Sequence, residues 1–398
     1  MNRVYWLNTD IIQGSQEEPK EGGIVIVGSG LSGISCAYWL QHYGYKDIVM
    51  VDYEATKAAS FRNCGHILHG TVESMKALST LHGSENAAEI WGFSIEICNL
   101  LKETIKREQI SCEYKQDGYL CIAINKSEDQ EIRESVRLLQ GLGYPSDYVE
   151  KEDIKNLGFQ NVFGGRFEAP AAQAHPVKFR NELVRICLKN GLQYHSGVEV
   201  LEISEKNGSV FLETKKKAYK FDAAVIASNA YAPKLSTFFR QNRLIEPFRG
   251  QIMVSQSLKE KLKVTYPHSF DHGYEYALVT PDNRLMIGGW RNQTKSQELG
   301  SYELVCNPLI ERGLSAFVQK HYSIKEKLKW PYSWAGIMAS SQTGFPFIGP
   351  TNSPLIFTCS GFTGHGFSWA HGSAKMLAQI MVGENIPKVL RFFNPKKI

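Results

Sequence analysis

Residues 24–33 decide the fold: the chain reads Ile24-Val25-Ile26-Val27 and continues directly into Gly28-Ser29-Gly30-Leu31-Ser32-Gly33. An unbroken run of β-branched residues is typical of a parallel strand that is covered on both faces. A segment with good helix character follows from Ile34 to Tyr43, and a second short apolar run spans residues 48–51. A strand, a glycine turn, a helix and a strand within about thirty residues predict a βαβ unit.

The glycine turn indicates a nucleotide site. In this motif the first glycine allows the tight turn, the second lets the backbone approach a pyrophosphate, and the third permits close packing of the helix on the strand. The helix that follows offers N–H groups and a positive dipole end to the phosphates. Asp52 ends the second strand, nineteen residues after Gly33, where a carboxylate can bond a ribose hydroxyl and would repel a 2′-phosphate. We therefore predict a bound dinucleotide other than NADP, and the motif by itself does not choose between NAD and FAD.

The composition is that of a soluble protein large enough for two domains. The 398 residues are 43% hydrophobic and 21% charged, and 45 basic against 40 acidic residues leave a formal charge of +5. So small an excess argues against a nucleic-acid partner, and the run Lys215–Lys217 predicts a hairpin loop. The eight cysteines form no CxxC pair and no zinc spacing, and neither a signal-like N-terminus nor a run of about 20 apolar residues occurs. These features predict a cytoplasmic protein with no transmembrane segment and no metal site.

Spacing and helix breakers predict further elements. Ser127 and Gln130 form a capping box that is predicted to open a helix ending near residue 141. The other predicted elements are helices over residues 84–107, 175–190 and 366–382, and strands over residues 198–203, 210–214 and 223–227 and within the tract 251–290.

A series of further motifs carries a family resemblance: Tyr5-Trp6-Leu7, Ala59-Ser60-Phe61-Arg62-Asn63-Cys64-Gly65-His66, His175-Pro176, Gly197-Val198, Val225-Ile226-Ala227-Ser228-Asn229-Ala230-Tyr231, Phe248-Arg249-Gly250-Gln251, Trp334-Ala335-Gly336, Pro346-Phe347-Ile348-Gly349 and Gly361-Phe362-Thr363-Gly364-His365-Gly366. In this order they resemble the FAD-dependent D-amino-acid-oxidase/glycine-oxidase superfamily. The first motif resembles the leader of its gamma-glutamylputrescine branch. Each motif is loose by itself, but the series covers nearly the whole chain.

The resemblance implies an α/β fold with a Rossmann-like FAD-binding domain and a discontinuous α+β substrate domain, as in glycine oxidase. We assign residues 20–72, 164–232 and 335–390 to the FAD-binding domain and residues 73–163 and 233–334 to the substrate-binding domain. FAD is the implied cofactor. The residues expected to bind it are Gly28, Ser29, Gly30, Leu31, Ser32, Gly33, Asp52, Tyr53, Ser60, Arg62, Asn63, Cys64, Gly65, His66, Val198, Ser228, Asn229, Gly336, Gly361, Phe362, Gly364, His365 and Gly366.

The resemblance also implies the chemistry of an amine or amino-acid oxidase or dehydrogenase. In this superfamily a primary or secondary amine gives a hydride to flavin N5 and becomes an imine, while the protein positions and desolvates the neutral amine. The expected catalytic residues are therefore pocket residues, namely His66, Tyr276 and His365. For His66, substrate contact, flavin contact and simple packing all stay open, as does a covalent flavin link through His66 or Cys64.

The expected substrate pocket departs from the family pattern at one point. Its predicted lining residues are Arg249, Tyr274, Arg291 and Trp334, and Tyr274 alternates with Tyr276 on a predicted strand so that both face one side of the sheet. Amino-acid-oxidising relatives often carry an arginine soon after the Trp-x-Gly segment to clamp the substrate carboxylate, whereas residues 336–340 contain none. Unless Arg249 or Arg291 serves instead, this favours a less acidic amine such as a polyamine derivative.

Three alternatives stay open. A tRNA-modification flavodomain acting on a carboxymethylaminomethyl group uses the same fold, although the modest net charge disfavours it. A partner-dependent flavin subunit of an amine dehydrogenase complex would hold flavin without turning over alone. A plain NAD-dependent dehydrogenase is disfavoured by the second glycine turn at residues 361–366. The electron acceptor, whether dioxygen or a respiratory or protein acceptor, is not specified by the sequence.

Overall fold

The computed structural model describes residues 3–396. Its helices are α1 (Leu31–His42), α2 (Met75–His82), α3 (Ser84–Arg107), α4 (Lys126–Gly141), α5 (Lys151–Asn156), α6 (Pro176–Lys189), α7 (Ala232–Leu235), α8 (Thr237–Gln241), α9 (Pro308–His321) and α10 (Gly366–Val382). Its strands are β1 (Ile24–Val27), β2 (Ile48–Asp52), β3 (His66–Ile67), β4 (Tyr119–Ile122), β5 (Asp147–Val149), β6 (Gly165–Glu168), β7 (Ala172–Gln173), β8 (Gln193–Ser196), β9 (Val200–Lys206), β10 (Ser209–Thr214), β11 (Ala218–Phe221), β12 (Ala223–Ile226), β13 (Ile245–Val254), β14 (His268–Phe270), β15 (Glu275–Val279), β16 (Leu285–Gly289), β17 (Tyr332–Ser341), β18 (Phe347–Pro350) and β19 (Ile356–Ser360). Among the described helices, none combines the length and the apolar character that a membrane crossing needs.

The predicted βαβ unit forms the centre of a six-stranded sheet in the order β18-β19-β12-β1-β2-β8. Strand β1 runs parallel to both β2 and β12, and Val27 at its end lies between Val51 and Ile226. All four residues of β1 are buried because both faces of the sheet are covered. Ile24 and Ile26 pack in the core that includes α1, α6 and α10, while the alternate residues pack toward the small sheet β11-β10-β9. The covering of both faces explains why the strand is an unbroken β-branched run.

A second sheet of eight strands has the order β17-β13-β16-β15-β14-β4-β6-β5, with β14 and β4 paired in parallel and the other neighbours antiparallel. One face of this sheet packs against α9 in a core that contains Ile287, Leu314 and Val318. The opposite face carries Cys121 and Tyr276, which line a cavity. Side chains alternate across a strand, so the apolar partners of α9 and the cavity residues come from the same strands.

The structure confirms most of the predicted elements and corrects one cap. Helices α3 and α10 have the predicted bounds, and Lys215–Lys217 form the loop between β10 and β11. The predicted capping box is wrong, because Ser127 lies inside α4. Asn125 is the N-cap instead, and its side-chain oxygen accepts a hydrogen bond of 2.9 Å from the backbone N–H of Glu128.

The strands of the two large sheets coincide only in part with the predicted domain segments. Every strand of the six-stranded sheet falls in the segments assigned to FAD binding. Strand β6, at residues 165–168, also falls in such a segment but is hydrogen-bonded into the eight-stranded sheet, and β17 spans the predicted boundary at residue 335. The boundaries themselves stay a prediction.

Candidate active site

A cavity of about 1150 Å³ lies between the two large sheets. Val27 and Asp52, at the carboxyl ends of β1 and β2, line one side of it, and Cys121 and Tyr276 line the side formed by the eight-stranded sheet. The crevice outside the carboxyl ends of parallel strands is where ligands bind in open α/β sheets. The volume exceeds the roughly 300–1,000 Å³ of ordinary ligand pockets, so the cavity has room for a dinucleotide together with a second small molecule.

The first glycine loop brings the start of α1 against the end of β1. Gly28 has a φ of +113°, and a Cβ atom built there would stand 2.7 Å from the carbonyl oxygen of Ala227. A Cβ atom at Gly33 would stand 1.8 Å from the carbonyl oxygen of Gly28. Because neither position leaves room for a side chain, the glycines allow α1 to point its N-terminal N–H groups at the cavity.

Polar groups around the loop hold it in this shape. The Asp52 carboxylate accepts a 2.7 Å hydrogen bond from the backbone N–H of Ser29, and the Ser60 hydroxyl accepts one of 2.8 Å from that of Leu31. From behind, the fully buried Arg180 donates through Nε to the carbonyl oxygen of Ser29 at 3.1 Å. Arg180 is not among the residues predicted from the sequence, where its only signal is an arginine on the apolar face of the predicted helix over residues 175–190.

The residues facing the cavity near this loop suit a dinucleotide. The Ser228 hydroxyl is buried and has no hydrogen-bond partner within residues 3–396, although Ser228 lines the cavity. Burial raises the pKa of Asp52 above its ordinary value, and the Ser29 N–H opposes that rise. Among the described residues no group of three or more His, Cys, Asp or Glu side chains is placed to hold a metal ion. The polar groups present are therefore hydroxyl, amide and carboxylate partners for ribose and phosphate.

The second glycine loop closes the other end of the cavity. Its backbone N–H groups at Gly361 and Phe362 donate to the Asn229 side-chain oxygen at 2.9 and 3.3 Å, which ties the loop to the end of β12. His365 is the N-cap residue of α10, and it lines the cavity together with Gly366. The positive end of the α10 dipole consequently faces the cavity, where it favours a ligand that gains negative charge.

Most residues predicted to bind the cofactor line this cavity: Gly28, Gly30, Leu31, Ser32, Asp52, Tyr53, Ser60, Arg62, Asn63, Cys64, Gly65, His66, Val198, Ser228, Asn229, Gly336, Phe362, Gly364, His365 and Gly366. Ser29, Gly33 and Gly361 lie behind its wall and shape the two loops. The cavity lining shows which residues the fold brings together, and their individual contacts with a cofactor stay predictions.

Between the second glycine loop and the eight-stranded sheet the cavity is aromatic. The His66 ring lies 6.5 Å from that of Tyr119 and 6.3 Å from that of Tyr276, centroid to centroid. The Tyr119 hydroxyl is hydrogen-bonded to the Ser269 hydroxyl, and His365 lines the same cavity. The three residues predicted to be catalytic, His66, Tyr276 and His365, are therefore brought to one cavity, as is Tyr274.

Burial favours the neutral form of both histidines in this compartment. Burial lowers the pKa of His66 to about 3, and burial likewise lowers the pKa of His365. The Nε2 atom of His66 lies 3.1 Å from the carbonyl oxygen of Ala277. A carbonyl oxygen only accepts, so Nε2 carries the proton and Nδ1 keeps its lone pair. Neutral His66 can thus accept a hydrogen bond through Nδ1 but supplies no positive charge.

Cys64 lies beside these rings. It is buried, lines the cavity, and has its pKa raised above the ordinary thiol value by burial. A thiolate is the reactive form of cysteine, so this environment keeps the side chain as a small packing group at neutral pH. Covalent attachment of a flavin through Cys64 or His66 is not tested by the geometry.

Two of the predicted substrate-pocket residues lie elsewhere. Arg249 is paired with the buried Glu298 and is absent from the cavity lining, so its charge is already compensated. Trp334 is fully buried and donates through its ring nitrogen to the carbonyl oxygen of Arg62 at 3.0 Å. Neither is part of the pocket wall predicted from the sequence. Alternation along β13 directs Arg249 away from the cavity, whereas Trp334 shares a face with the cavity-lining Met338 and is buried against the backbone of Arg62.

Arg291 does line the cavity, with Tyr274 beside it. Its guanidinium carbon lies 4.4 Å from the centre of the Phe248 ring and 5.3 Å from that of the Tyr274 ring. Among the described residues no carboxylate forms an ion pair with Arg291. Its positive charge is therefore held by aromatic faces and stays available to an anionic group.

A charged region of the cavity was missed by the sequence analysis. Arg166, Glu128 and Glu131 line the cavity beyond Cys121. Arg166 lies on β6 and pairs across the strands with Cys121, while the two glutamates lie in α4. No local pattern marked these residues, since charges on a predicted surface helix are ordinarily solvated.

Two relatives resemble this chain in sequence, and a solved structure resembles it in fold. The chain is 25% identical over 386 residues to a probable oxidoreductase OrdL of Haemophilus influenzae, covering 91% of this chain and 83% of the relative. It is 23% identical over 372 residues to gamma-glutamylputrescine oxidoreductase of Escherichia coli, covering 91% and 84%. Glycine oxidase from Geobacillus kaustophilus has the same fold, with a TM-score of 0.78 at 17% identity over 94% of this chain and 98% of that one.

The family assignment rests on a match longer than any single motif. The family described as DAO, FAD dependent oxidoreductase, matches residues 23–380, from the start of β1 almost to the end of α10. The match includes both glycine loops and the intervening sheet that encloses the cavity. The chain therefore belongs to the DAO family of FAD-dependent oxidoreductases.

Proposed function

We propose that this enzyme oxidises the C–N bond of a primary or secondary amine to an imine. The observation that carries the proposal is the aromatic compartment beside the second glycine loop, which His66, His365, Tyr119 and Tyr276 line and where burial favours the neutral form of both histidines. FAD bound between the two glycine loops would supply the two-electron acceptor for the hydride. The residues of the chain have to bind the amine, orient its α-C–H bond and keep its nitrogen uncharged.

Burial favours the neutral amine. Moving an ammonium group into a poorly hydrated compartment lowers its pKa, as it lowers that of a buried lysine. The neutral nitrogen keeps a lone pair, which can stabilise the carbon as the hydride leaves. The Tyr119 and Tyr276 rings beside His66 add apolar surface to this compartment, which strengthens this preference.

Neutral histidines can orient such an amine. The lone pair on Nδ1 of His66 accepts an amine N–H, because Nε2 is committed to the carbonyl oxygen of Ala277. His365 lies with its Nδ1 atom 3.4 Å from the carbonyl oxygen of Thr363. Holding the amine by its N–H groups leaves the nitrogen lone pair free. The imine that results is hydrolysed by water to a carbonyl compound.

The substrate we favour is a polyamine-like amine rather than a short α-amino acid. Met338 lines the cavity in the segment where amino-acid-oxidising relatives often carry the carboxylate-binding arginine. Arg249, one of the two substitutes considered, is paired with Glu298, which leaves Arg291 as the one of the two that can still hold a substrate carboxylate. The relationship to gamma-glutamylputrescine oxidoreductase supports the same substrate class.

The proposal is tested by anaerobic reduction of the purified yellow protein. Sarcosine, glycine, D-amino acids, polyamines and gamma-glutamyl-polyamines are mixed with it separately, and bleaching of the visible flavin band is followed. We expect bleaching by the amines of the last two classes. A flavin-containing protein that none of them bleaches would favour a partner-dependent subunit and contradict the proposal.

A further inference from the structure

The charged region of the cavity lies in line with the aromatic compartment. In the eight-stranded sheet, Arg166 on β6 pairs with Cys121 on β4. Cys121 pairs in turn with Ser269 on β14, and Ser269 pairs with Tyr276 on β15. Paired residues face the same side of a sheet, and the three strand spacings between β6 and β15 amount to about 14 Å. A single elongated ligand lying along this row would reach both regions.

Arg166 has hydrogen-bonding capacity that the protein does not use. Its Nε lies 3.1 Å from a carboxylate oxygen of Glu168, with side-chain exposures of 11% and 2%. That contact is an ion pair without hydrogen-bond geometry, so Nε of Arg166 and both carboxylate oxygens of Glu168 are buried without a hydrogen-bond partner within residues 3–396. The guanidinium also lies over the Trp91 ring, at 5.5 Å. A buried guanidinium without hydrogen-bonded partners is costly, and its planar fork suits a carboxylate.

The opposite wall of this region is acidic. Glu128 is buried, and its carboxylate accepts hydrogen bonds from the backbone N–H groups of His272 and Ile124 at 2.7 and 2.9 Å. Glu131, one helical turn further along α4, accepts a hydrogen bond of 2.5 Å from the Ser74 hydroxyl. Glu168 offsets the charge of Arg166, so Glu128 and Glu131 leave this end of the cavity negative. An ammonium group is the complementary ligand.

We propose that Arg166, Glu128 and Glu131 form a distal subsite that binds a zwitterionic α-amino-acid head group. The head's carboxylate is held by Arg166 and its ammonium group by the two glutamates. The amine that reacts is a different one, at the far end of the same molecule beside Tyr276 and His66. This inference rests on the proposed amine oxidation, and it makes the substrate an amino acid whose extended side chain ends in an amine.

The test separates head-group binding from turnover. Isothermal titration calorimetry of the FAD-loaded protein with γ-glutamylbutylamide measures binding of the head group alone, because the butyl chain of this compound does not end in an amine that could be oxidised. Two analogues each lack one charge: glutaric acid monobutylamide has no ammonium group, and γ-aminobutyryl-butylamide has no carboxylate. We expect each analogue to bind about tenfold or more weakly than γ-glutamylbutylamide, because a charge-assisted hydrogen bond is lost.

Matched variants locate the binding. We expect Arg166→Gln and Glu131→Gln each to weaken binding of γ-glutamylbutylamide by about tenfold or more. The controls are Arg240→Gln, at an exposed ion pair with Glu202, and Glu134→Gln, on the same helix as Glu131 and paired with Lys76. If Arg166→Gln fails to fold, Arg166→Lys takes its place, because lysine keeps the positive charge opposite Glu168 but lacks the paired N–H donors of the guanidinium group.

The outcomes distinguish this inference from the proposed function. If no amine bleaches the flavin but γ-glutamylbutylamide binds in a manner that depends on Arg166 and Glu131, the subsite stands and the amine oxidation fails. If γ-glutamylputrescine and N-acetylputrescine reduce the flavin with the same concentration dependence, the subsite is overturned and amine oxidation stands. Equal binding of the three butylamides, or unchanged binding in Glu131→Gln and Arg166→Lys, also overturns the subsite.

Discussion

Replacing Gly33 with alanine should break the cofactor loop while leaving the rest of the fold intact. A Cβ atom at residue 33 would stand 1.8 Å from the carbonyl oxygen of Gly28, about 1.2 Å short of the 3.0 Å below which real Cβ contacts essentially do not occur. The atom it meets belongs to the backbone of the loop and cannot rotate away. The start of α1 must therefore move away from β1, and it carries its N–H groups away from the cavity.

The size of the effect follows from two opposing contributions. Overpacking of this kind typically costs about 1–3 kcal/mol, whereas alanine in a helix interior gains about 1 kcal/mol over glycine. Because the clash is with backbone, we take the upper half of the range and expect a net loss of about 1–2 kcal/mol. If that strain falls on the cofactor loop, FAD affinity should drop by about 5- to 30-fold.

The assay is titration of the apoprotein with FAD, together with urea unfolding. Gly141→Ala is the matched control, since Gly141 also lies in a helix, and a Cβ atom built there meets nothing within 4 Å. This control should bind FAD normally and be equally stable or more stable, by up to about 1 kcal/mol. A Gly33→Ala protein whose FAD affinity lies within about twofold of the wild type would refute the reasoning.

Three further predictions concern charge in and around the cavity. Arg249→Gln should cost about 3–5 kcal/mol of stability by leaving the buried Glu298 uncompensated and should leave KM unchanged. Arg291→Gln should leave the urea midpoint unchanged and raise KM only for amines that carry a carboxylate, since that is the group its charge can bind; the opposite pattern would restore Arg249 as a substrate contact. Met338→Arg should improve kcat/KM for glycine by about tenfold or more by adding a carboxylate partner, and an arginine variant with full FAD content and no gain would contradict this. Burial raises the pKa of Glu275 to about 8 from 4.5, so the folded protein keeps a proton that the unfolded chain releases, and wild-type stability falls as the pH rises between those values. The free energy of unfolding of Glu275→Gln, relative to that of the wild type, should therefore increase by up to about 1.4 kcal/mol per pH unit between about pH 5 and 8. A difference between the urea midpoints of the two proteins that stays constant over this pH range would contradict the prediction.

Local signals predicted the cofactor half of the molecule well. The run Ile24–Val27 is buried on both faces as its composition indicates, and the start of α1 follows the glycines as the motif requires. Helix α10 has the bounds predicted from its spacing and from Gly383. These features depend on residues close together in the chain, so the pattern contains the information needed to predict them.

Substrate-side residues could not be selected in the same way. Arg249 and Arg291 were equally good candidates by sequence, and only the pairing of Arg249 with Glu298 separates them. Trp334 was expected at the pocket but lies behind it, hydrogen-bonded to the Arg62 carbonyl. Which residues face a cavity follows from strand register and from the segments that pack on the sheet, and both are set by partners far away in the chain.

The sequence by itself determined the nucleotide-binding unit, the order of the family motifs and the absence of an arginine at residues 336–340. Each of these is a property of residue types at short spacing, and the physical constraint on each is local: a turn, a helix start or a buried strand. Only the tertiary structure decided that Arg166 on β6 and Glu128 on α4 share a cavity with Tyr276 on β15. Their juxtaposition arises because β6, β4 and β14 are neighbours in one sheet although they are distant in the chain. Strand pairing between distant segments leaves no mark at any single position.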